Sequence, residues 1–310
     1  MKKNIAIVGY GSIGKRYHNI LNNFFPNHNV FIIRSRNFLS SKKNKNIIKF
    51  KDNKNLIFEL AIICSPASLH LDQAIFFAKK KTNLLIEKPL SSSISKKITL
   101  LQKIIRKNKL NCNIGYMFKY SQEARKVKEL IKNNTIGKIK NANIVCDSYL
   151  PKWRKQNYKK SVSAQKKLGG GVINELSHEI HLMLWFFGFP KEIYSFNYNS
   201  GILDIDCEDN SISTFVCSNK VNVNMKLSFS EKLRKRFIVI YGRKGEIKWD
   251  IDNNKIYITK LKKKVISYSK ENLYQKQLSY ILENKKSKKE AVSLTDGINV
   301  LKIIKKMKNN

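Results

Sequence analysis

The chain has 310 residues, enough for two ordinary domains, and its 42% hydrophobic content with 13 Gly and 5 Pro excludes a disordered or fibrous protein. No apolar run reaches the length of a membrane span, and Met1-Lys2-Lys3-Asn4 leads straight into an apolar strand, so neither a membrane partner nor a signal peptide is expected. The net charge of +39 comes mainly from lysines spread along the whole chain beside abundant Asn and Ile, all encoded by A/T-rich codons, so it reads as compositional bias and no nucleic-acid partner is expected. The five cysteines are scattered without a CxxC pair, which fits buried free thiols in a reducing, cytoplasmic setting.

Residues 3–8 form a short apolar strand of the kind found in the middle of a parallel sheet. A glycine turn at 9–14 and a helix to about Leu21 follow, then strands over Val30–Ile33 and Leu60–Cys64. A helix from Leu69 to Lys80, a strand over Asn83–Ile86, a helix from Ser95 to Asn108 and a strand at Cys112–Ile114 continue the alternation. Strands alternating with helices imply parallel βαβ units, hence a doubly wound α/β Rossmann domain over 1–120.

Beyond Tyr120 the pattern changes. A helix over Gln122–Lys132 precedes a strand over Ile139–Ser148, a polar, aromatic loop over Tyr149–Leu168, and one apolar helix opened by Gly169-Gly170-Gly171 and running to Phe187. Strands near Ile193–Tyr198, Ser211–Cys217, Val221–Ser228, Phe237–Tyr241, Glu246–Trp249 and Lys255–Thr259 then follow without intervening helices. This predicts an α+β domain over 121–310 with a mostly antiparallel open sheet. Two closing helices within 272–308 are expected to pack back toward the first domain.

Gly9-Tyr10-Gly11-Ser12-Ile13-Gly14 follows a buried strand and opens a helix, the context in which GxGxxG binds a dinucleotide. Gly9 allows the tight turn, Gly11 lets a pyrophosphate approach the backbone, and Gly14 lets helix and strand pack closely. An acidic residue about twenty residues further on would bind the ribose of NAD. Arg34-Ser35-Arg36 stands there instead, which suits the 2′-phosphate of NADP, so NADP is preferred over NAD.

Lys88, in Ile86-Glu87-Lys88-Pro89, ends a parallel strand, where ligands of open α/β sheets bind. An ammonium there can stabilise charge on a reacting oxygen, and Pro89 restricts Lys88 to an extended conformation and admits a cis bond. On the helix after the glycine run, Asn174, Ser177, His178 and His181 fall on one polar stripe beside the apolar face of Val172, Ile173, Leu176, Ile180, Met183, Leu184 and Phe187. Such a stripe either lines a cavity or faces solvent; the adjacent glycines favour a ligand cleft, with His178 as proton donor or acceptor. Glu175, His178 and His181 drift around the helix at successive i, i+3 steps, and no other His/Cys cluster completes a site, so no metal is expected.

GYGSIG at 9–14, CSPASLH at 64–70, IEKPLS at 86–91, GYMFKY at 115–120, GGGVINELSHEIHLMLWFFG at 169–188 and VSLTDGINVLKII at 293–305 together resemble the Gfo/Idh/MocA oxidoreductases over nearly the whole chain. The resemblance implies hydride transfer between nicotinamide and a sugar or polyol carbon, and a second domain that makes the homo-oligomer interface. It implies that Lys88 is the lysine of the EKP signature, that His178 is the helical proton-transfer histidine, and that Ser12, Ile13, Ser65, Pro66, His70 and Glu87 join Lys88 around the cofactor. Where the family has an Asp one turn before the histidine, this chain has Asn174 at i−4 and Glu175 at i−3; Glu175 is the functional match. The family's next Asp is His181 here.

The loop containing Trp153, Arg154 and Tyr158 resembles a subgroup associated with surface-sugar and nonulosonic (sialic-acid-like) biosynthesis. With Asn174 and His181 it would bind a sugar, a sugar acid or a sugar nucleotide. Two other readings share the fold: NAD as a redox relay for elimination or glycoside cleavage, and, given His181, a sensor or scaffold that binds NADP without turnover.

Overall fold

The computed structural model describes residues 2–34, 47–49 (backbone only), 56–153, 157–218, 220–283 and 291–309. Ser35, Arg36 and Arg154 lie outside the described residues. The chain divides into two units, 1–116 with 274–301, and 117–273 with 302–310. The division therefore falls at 116/117 rather than at 120, and most of the C-terminal stretch belongs to the first unit.

In the first unit the apolar runs become β1 (Asn4–Val8), β2 (Asn29–Arg34), β3 (Ile47–Lys49), β4 (Leu60–Ile63), β5 (Asn83–Ile86) and β6 (Cys112–Ile114). They pair in parallel in the order β3-β2-β1-β4-β5-β6. The helices α1 (Ser12–Phe24), α2 (His70–Lys79) and α3 (Lys96–Lys107) connect them. Strand order reverses between β1 and β4, the switch point where open α/β sheets take ligands. The short strand β3 is an addition to the sequence expectation.

The second unit starts with α4 (Gln122–Lys132), whose N-cap Ser121 accepts a hydrogen bond from Ala124 N. Next comes β7 (Ile139–Tyr149), then a stretch of short 3₁₀ turns where a plain loop was expected. Helices α5 (Val172–Glu175) and α6 (Ser177–Phe187) follow. The single helix expected here is broken at Leu176 (φ −94°, ψ 26°). Two residues earlier the Asn174 amide donates back to the Gly169 and Gly170 carbonyls, the local competition with helix bonding that Asn brings.

The remaining strands are β8 (Pro190–Tyr198), β9 (Asn210–Cys217), β10 (Asn222–Ser228), β11 (Ser230–Gly242), β12 (Gly245–Asp250), β13 (Lys255–Thr259) and β14 (Lys263–Ser267). The sheet runs β14-β13-β12-β11-β7-β10-β9-β8. Every pairing is antiparallel except β7 with β10. Ala142, Ile144 and Cys146 of β7, with Val223, Met225 and Leu227 of β10, point to its covered face and are buried. Tyr194, Phe196 and Ile212 lie exposed on the other.

The chain then returns to the first unit. In α7 (Leu273–Leu282), Leu278 and Leu282 join Ile5, Ile7, Tyr17, Leu21, Leu60, Ile62 and Leu85 in one core. Each such buried side chain contributes about 1.5–3 kcal/mol. In α8 (Leu294–Lys308), Gly297 packs against Ile114, and the preceding residue pair Val292–Ser293 bridges to β6.

Candidate active site

Three strand ends that are neighbours in the first sheet, those of β1, β4 and β5, carry the residues expected on the cofactor side. After β1, Gly9 has φ +92°, and a Cβ there would come within 2.8 Å of Ser65 N, so only glycine lets the β1 and β4 loops touch. A Cβ on Gly14 would strike Gly9 O, whereas one on Gly11 would meet nothing within 4 Å. Gly9 and Gly14 are thus needed for packing and Gly11 leaves open space before the N-terminus of α1, a cradle that fits a dinucleotide pyrophosphate. Ser12 is exposed and Ile13 leans on the sheet core. Arg34, at the end of β2, holds its guanidinium 5.1 Å from the centre of the Tyr10 ring, so β2 and the glycine loop are brought together.

After β4, Ser65 Oγ donates to Gln73 Oε1 at 2.6 Å, and Pro66 leads into a short turn. His70 is buried: Nε2 faces Ser65 O at 2.8 Å and Nδ1 faces Pro89 O at 2.9 Å. Burial lowers its pKa, and the two carbonyls oppose this without overcoming it. His70 therefore clamps the β4 and β5 loops together, with its ring turned to the protein.

After β5, the Lys88–Pro89 bond is cis. Glu87 is turned inward: Tyr17 Oη lies 2.7 Å from its Oε1, and Lys88 N donates to Oε2 at 3.2 Å. Gly115 presses close, since a Cβ there would lie 2.9 Å from the carboxyl. Tyr17 also reaches Gln277 of α7, a residue that sequence reasoning missed. Its one signal was a glutamine beside Leu278 in the buried stripe of an amphipathic helix.

In the second unit the polar stripe is buried, not solvated: Asn174, Ser177, His178 and His181 are all at most 7% exposed. Asn174 spends its amide N–H groups on the glycine loop, with Oδ1 also buried. The His178 ring meets Phe118 edge to face at 5.2 Å. Arg236 lies over that phenyl ring at 4.5 Å and pairs with buried Glu179 through Nε (2.7 Å) and Nη2 (2.6 Å). Burial disfavours the Arg236 charge, but Glu179 beside it outweighs that and keeps it protonated. Phe118, Glu179 and Arg236 were not singled out from the sequence; an arginine inside a lysine-rich strand was the available signal.

Glu175 is half-buried near Cys207, whose thiol burial pushes up to about 12. Trp153 stands edge to face with Phe229 at 5.0 Å, and Tyr158 opens the turn in which Lys159 pairs with Asp204 at 2.6 Å. Among the described residues no group of three His, Cys, Asp or Glu is placed to hold a metal, and no helix is long and apolar enough to cross a membrane.

Residues 3–116 match the oxidoreductase family with NAD-binding Rossmann fold, and residues 124–248 match the GFO/IDH/MocA C-terminal domain. The chain belongs to the Gfo/Idh/MocA oxidoreductase family. As a Gfo/Idh/MocA member it joins an NAD-binding α/β domain to a largely antiparallel one. The YteT protein of Bacillus subtilis (strain 168) is 20% identical over 140 residues, 44% of this chain and only 32% of YteT. Glucose-6-phosphate 3-dehydrogenase of the same organism is 23% identical over 272 residues, 82% of this chain and 76% of that protein. The WlbA dehydrogenase of Bordetella pertussis, solved with NADH and UDP-GlcNAcA, superposes with a TM-score of 0.79 at 14% identity, covering 100% of this chain and 96% of that one. At that identity the likeness is one of fold.

Proposed function

We propose that the protein is an NAD(P)-dependent dehydrogenase or reductase acting on a CH–OH/C=O carbon of a sugar, sugar acid or sugar nucleotide. The observation that carries this reading is the row of strand ends after β1, β4 and β5: a glycine cradle, the Ser65–His70 clamp and Lys88, side by side at the C-terminal edge of one parallel sheet. Nicotinamide, when bound, supplies the hydride acceptor or donor.

The chain's own residues handle the proton and the charge. Lys88 donates a hydrogen bond to the reacting oxygen and stabilises its charge. His178, held against Phe118, takes or gives the proton, with Glu175 as the nearby carboxylate in sequence. His181, Asn174, Trp153, Arg154 and Tyr158 belong to the substrate side. Arg34 favours NADP, since its guanidinium stands at the end of β2 where the ribose 2′ position is read. The names of the glucose-6-phosphate and UDP-sugar enzymes support a phosphorylated or nucleotide-linked sugar. Exposed Tyr194, Phe196 and Ile212 on the open sheet face support a homo-oligomer built through that face.

A nicotinamide absorbance screen with both cofactors against sugar phosphates, acidic and amino sugars and their nucleotides tests the reading. Lys88→Ala and His178→Ala are each expected to lower kcat by about 10²–10⁴-fold while cofactor affinity survives. Undiminished turnover in both variants would sink the assignment, and no turnover of any sugar in the wild type would favour the sensor reading.

A further inference from the structure

Glu87 lies one residue before Lys88, and its carboxyl is sealed inside the first unit. Tyr17 Oη stands 2.7 Å from Glu87 Oε1 and 3.1 Å from Gln277 Oε1. The Gln277 amide is oriented from its other end, because Nε2 donates to Ile114 O at 3.2 Å. Turning the amide over would set one oxygen against another there. A tyrosine hydroxyl carries one proton, yet here it stands between two oxygens. With Glu87 ionised, that proton goes to the carboxylate, and Tyr17 Oη and Gln277 Oε1 then face each other lone pair to lone pair. Tyr17 and Gln277 are both 0% exposed, so bulk water does not relieve the clash.

One added proton resolves every contact. Glu87 donates to Tyr17, Tyr17 to Gln277 Oε1 and Gln277 Nε2 to Ile114 O, while Lys88 N donates to the free Glu87 oxygen. We propose that Glu87 is a neutral carboxylic acid in the folded protein and heads a one-way hydrogen-bond chain, Glu87 to Tyr17 to Gln277 to Ile114 O, that positions the backbone of Lys88. Glu87 is a positioning residue. The part of the inference that concerns Lys88 chemistry rests on the dehydrogenase reading; the protonation state does not.

The surroundings agree. Burial pushes the Glu87 pKa up, and the Tyr17 hydroxyl, Lys88 and Arg16 pull it down without overcoming burial. The titratable groups facing it are Arg16 and Tyr17 on α1, Cys64 after β4, Lys88 beside it and Tyr274 on α7. Cys64 and both tyrosines are held in their neutral forms by burial.

Infrared difference spectroscopy of the full-length protein against Glu87→Gln at neutral pH tests the protonation state. A carbonyl stretch of a protonated carboxyl, lost in the variant, is expected; carboxylate bands alone would overturn the proposal. Stability gives a second readout. The unfolded chain releases the Glu87 proton in the ordinary carboxylate range and the folded one only at higher pH. Wild-type stability therefore falls as pH rises from that range through the folded Glu87 pKa, and Glu87→Gln removes this part of the slope. Equal slopes in both proteins would also overturn it.

For positioning, Glu87→Leu is expected to lower kcat by about tenfold, the weight of one buried hydrogen bond, and Glu87→Gln, which can still donate to Tyr17, recovers most of that loss. A glutamine variant as slow as the leucine one counts against the chain. If no sugar is turned over, the spectroscopic and stability readouts still decide the state of Glu87, and only the dehydrogenase reading fails.

Discussion

Every residue of β4, and all but the first of β1 and β5, is buried, whereas β8 and β9 alternate and leave Tyr194 62%, Phe196 67% and Ile212 53% exposed. The parallel sheet is covered on both faces, so its polar chemistry is confined to strand ends: Gly9, Ser65 and Glu87 all lie just beyond the last residue of a strand. The second sheet has one covered face, and there an ion pair can be embedded among apolar side chains, as Arg236 of β11 is against Glu179 of α6. Its other face remains open. One architecture confines polar groups to an edge, and the other admits them into the body of the sheet.

The largest test of this difference is Arg236→Met. It leaves the Glu179 charge buried and unpaired, so a loss of about 3–5 kcal/mol is expected in denaturant unfolding. Arg236→Met combined with Glu179→Leu should recover most of it, and a single variant costing under about 1 kcal/mol would show that the pair is not held in the sheet body. At the edge of the parallel sheet, Gly14→Ala places a methyl group on Gly9 O. Overpacking of about 1–3 kcal/mol should appear mainly as weaker cofactor binding in titration calorimetry. Unchanged affinity would separate the glycine cradle from the cofactor.

On the open face, if the proposed homo-oligomer forms there, Tyr194→Ser, Phe196→Ser and Ile212→Ser together should lower the sedimentation coefficient to that of a single chain while unfolding is preserved. An unchanged sedimentation coefficient would remove that face from the interface. The smallest effect belongs to the surface: Lys97→Ala, which breaks the exposed pair with Asp72, should change stability by no more than about 0.5 kcal/mol.

The parts of the site readable in the sequence are those written in short contiguous patterns. The glycine turn, the strand end carrying Lys88 and the helix bearing His178 each declare themselves within twenty residues or so of their own context. What escaped depends on contacts between distant segments. Gln277 reaches Tyr17 from 260 residues away, and Arg236 meets Glu179 across 57. The local signal for each is slight, a glutamine in a buried helix stripe and an arginine in a lysine-rich strand, and neither names its partner. The resemblance led to the expectation that His70 and Glu87 stand near the cofactor, but not that they turn inward, because the direction of a side chain depends on which carbonyls and hydroxyls arrive beside it. The break at Leu176 was hidden for a related reason: Asn174 fits a helix pattern until its amide finds the glycine carbonyls.

The return of α7 to the first core has a consequence for how the protein is made. The last strand of the parallel sheet ends at Ile114, and its partner Gln277 is synthesised 163 residues later. At about 5–20 residues per second, the nascent sheet waits roughly 8–30 s for Leu278 and Leu282 to cover it. Throughout that interval the part of the core that Leu278 and Leu282 cover stays open to water beside Ile5, Ile62 and Leu85, so an N-terminal fragment is expected to be less stable and more prone to aggregate than the full chain.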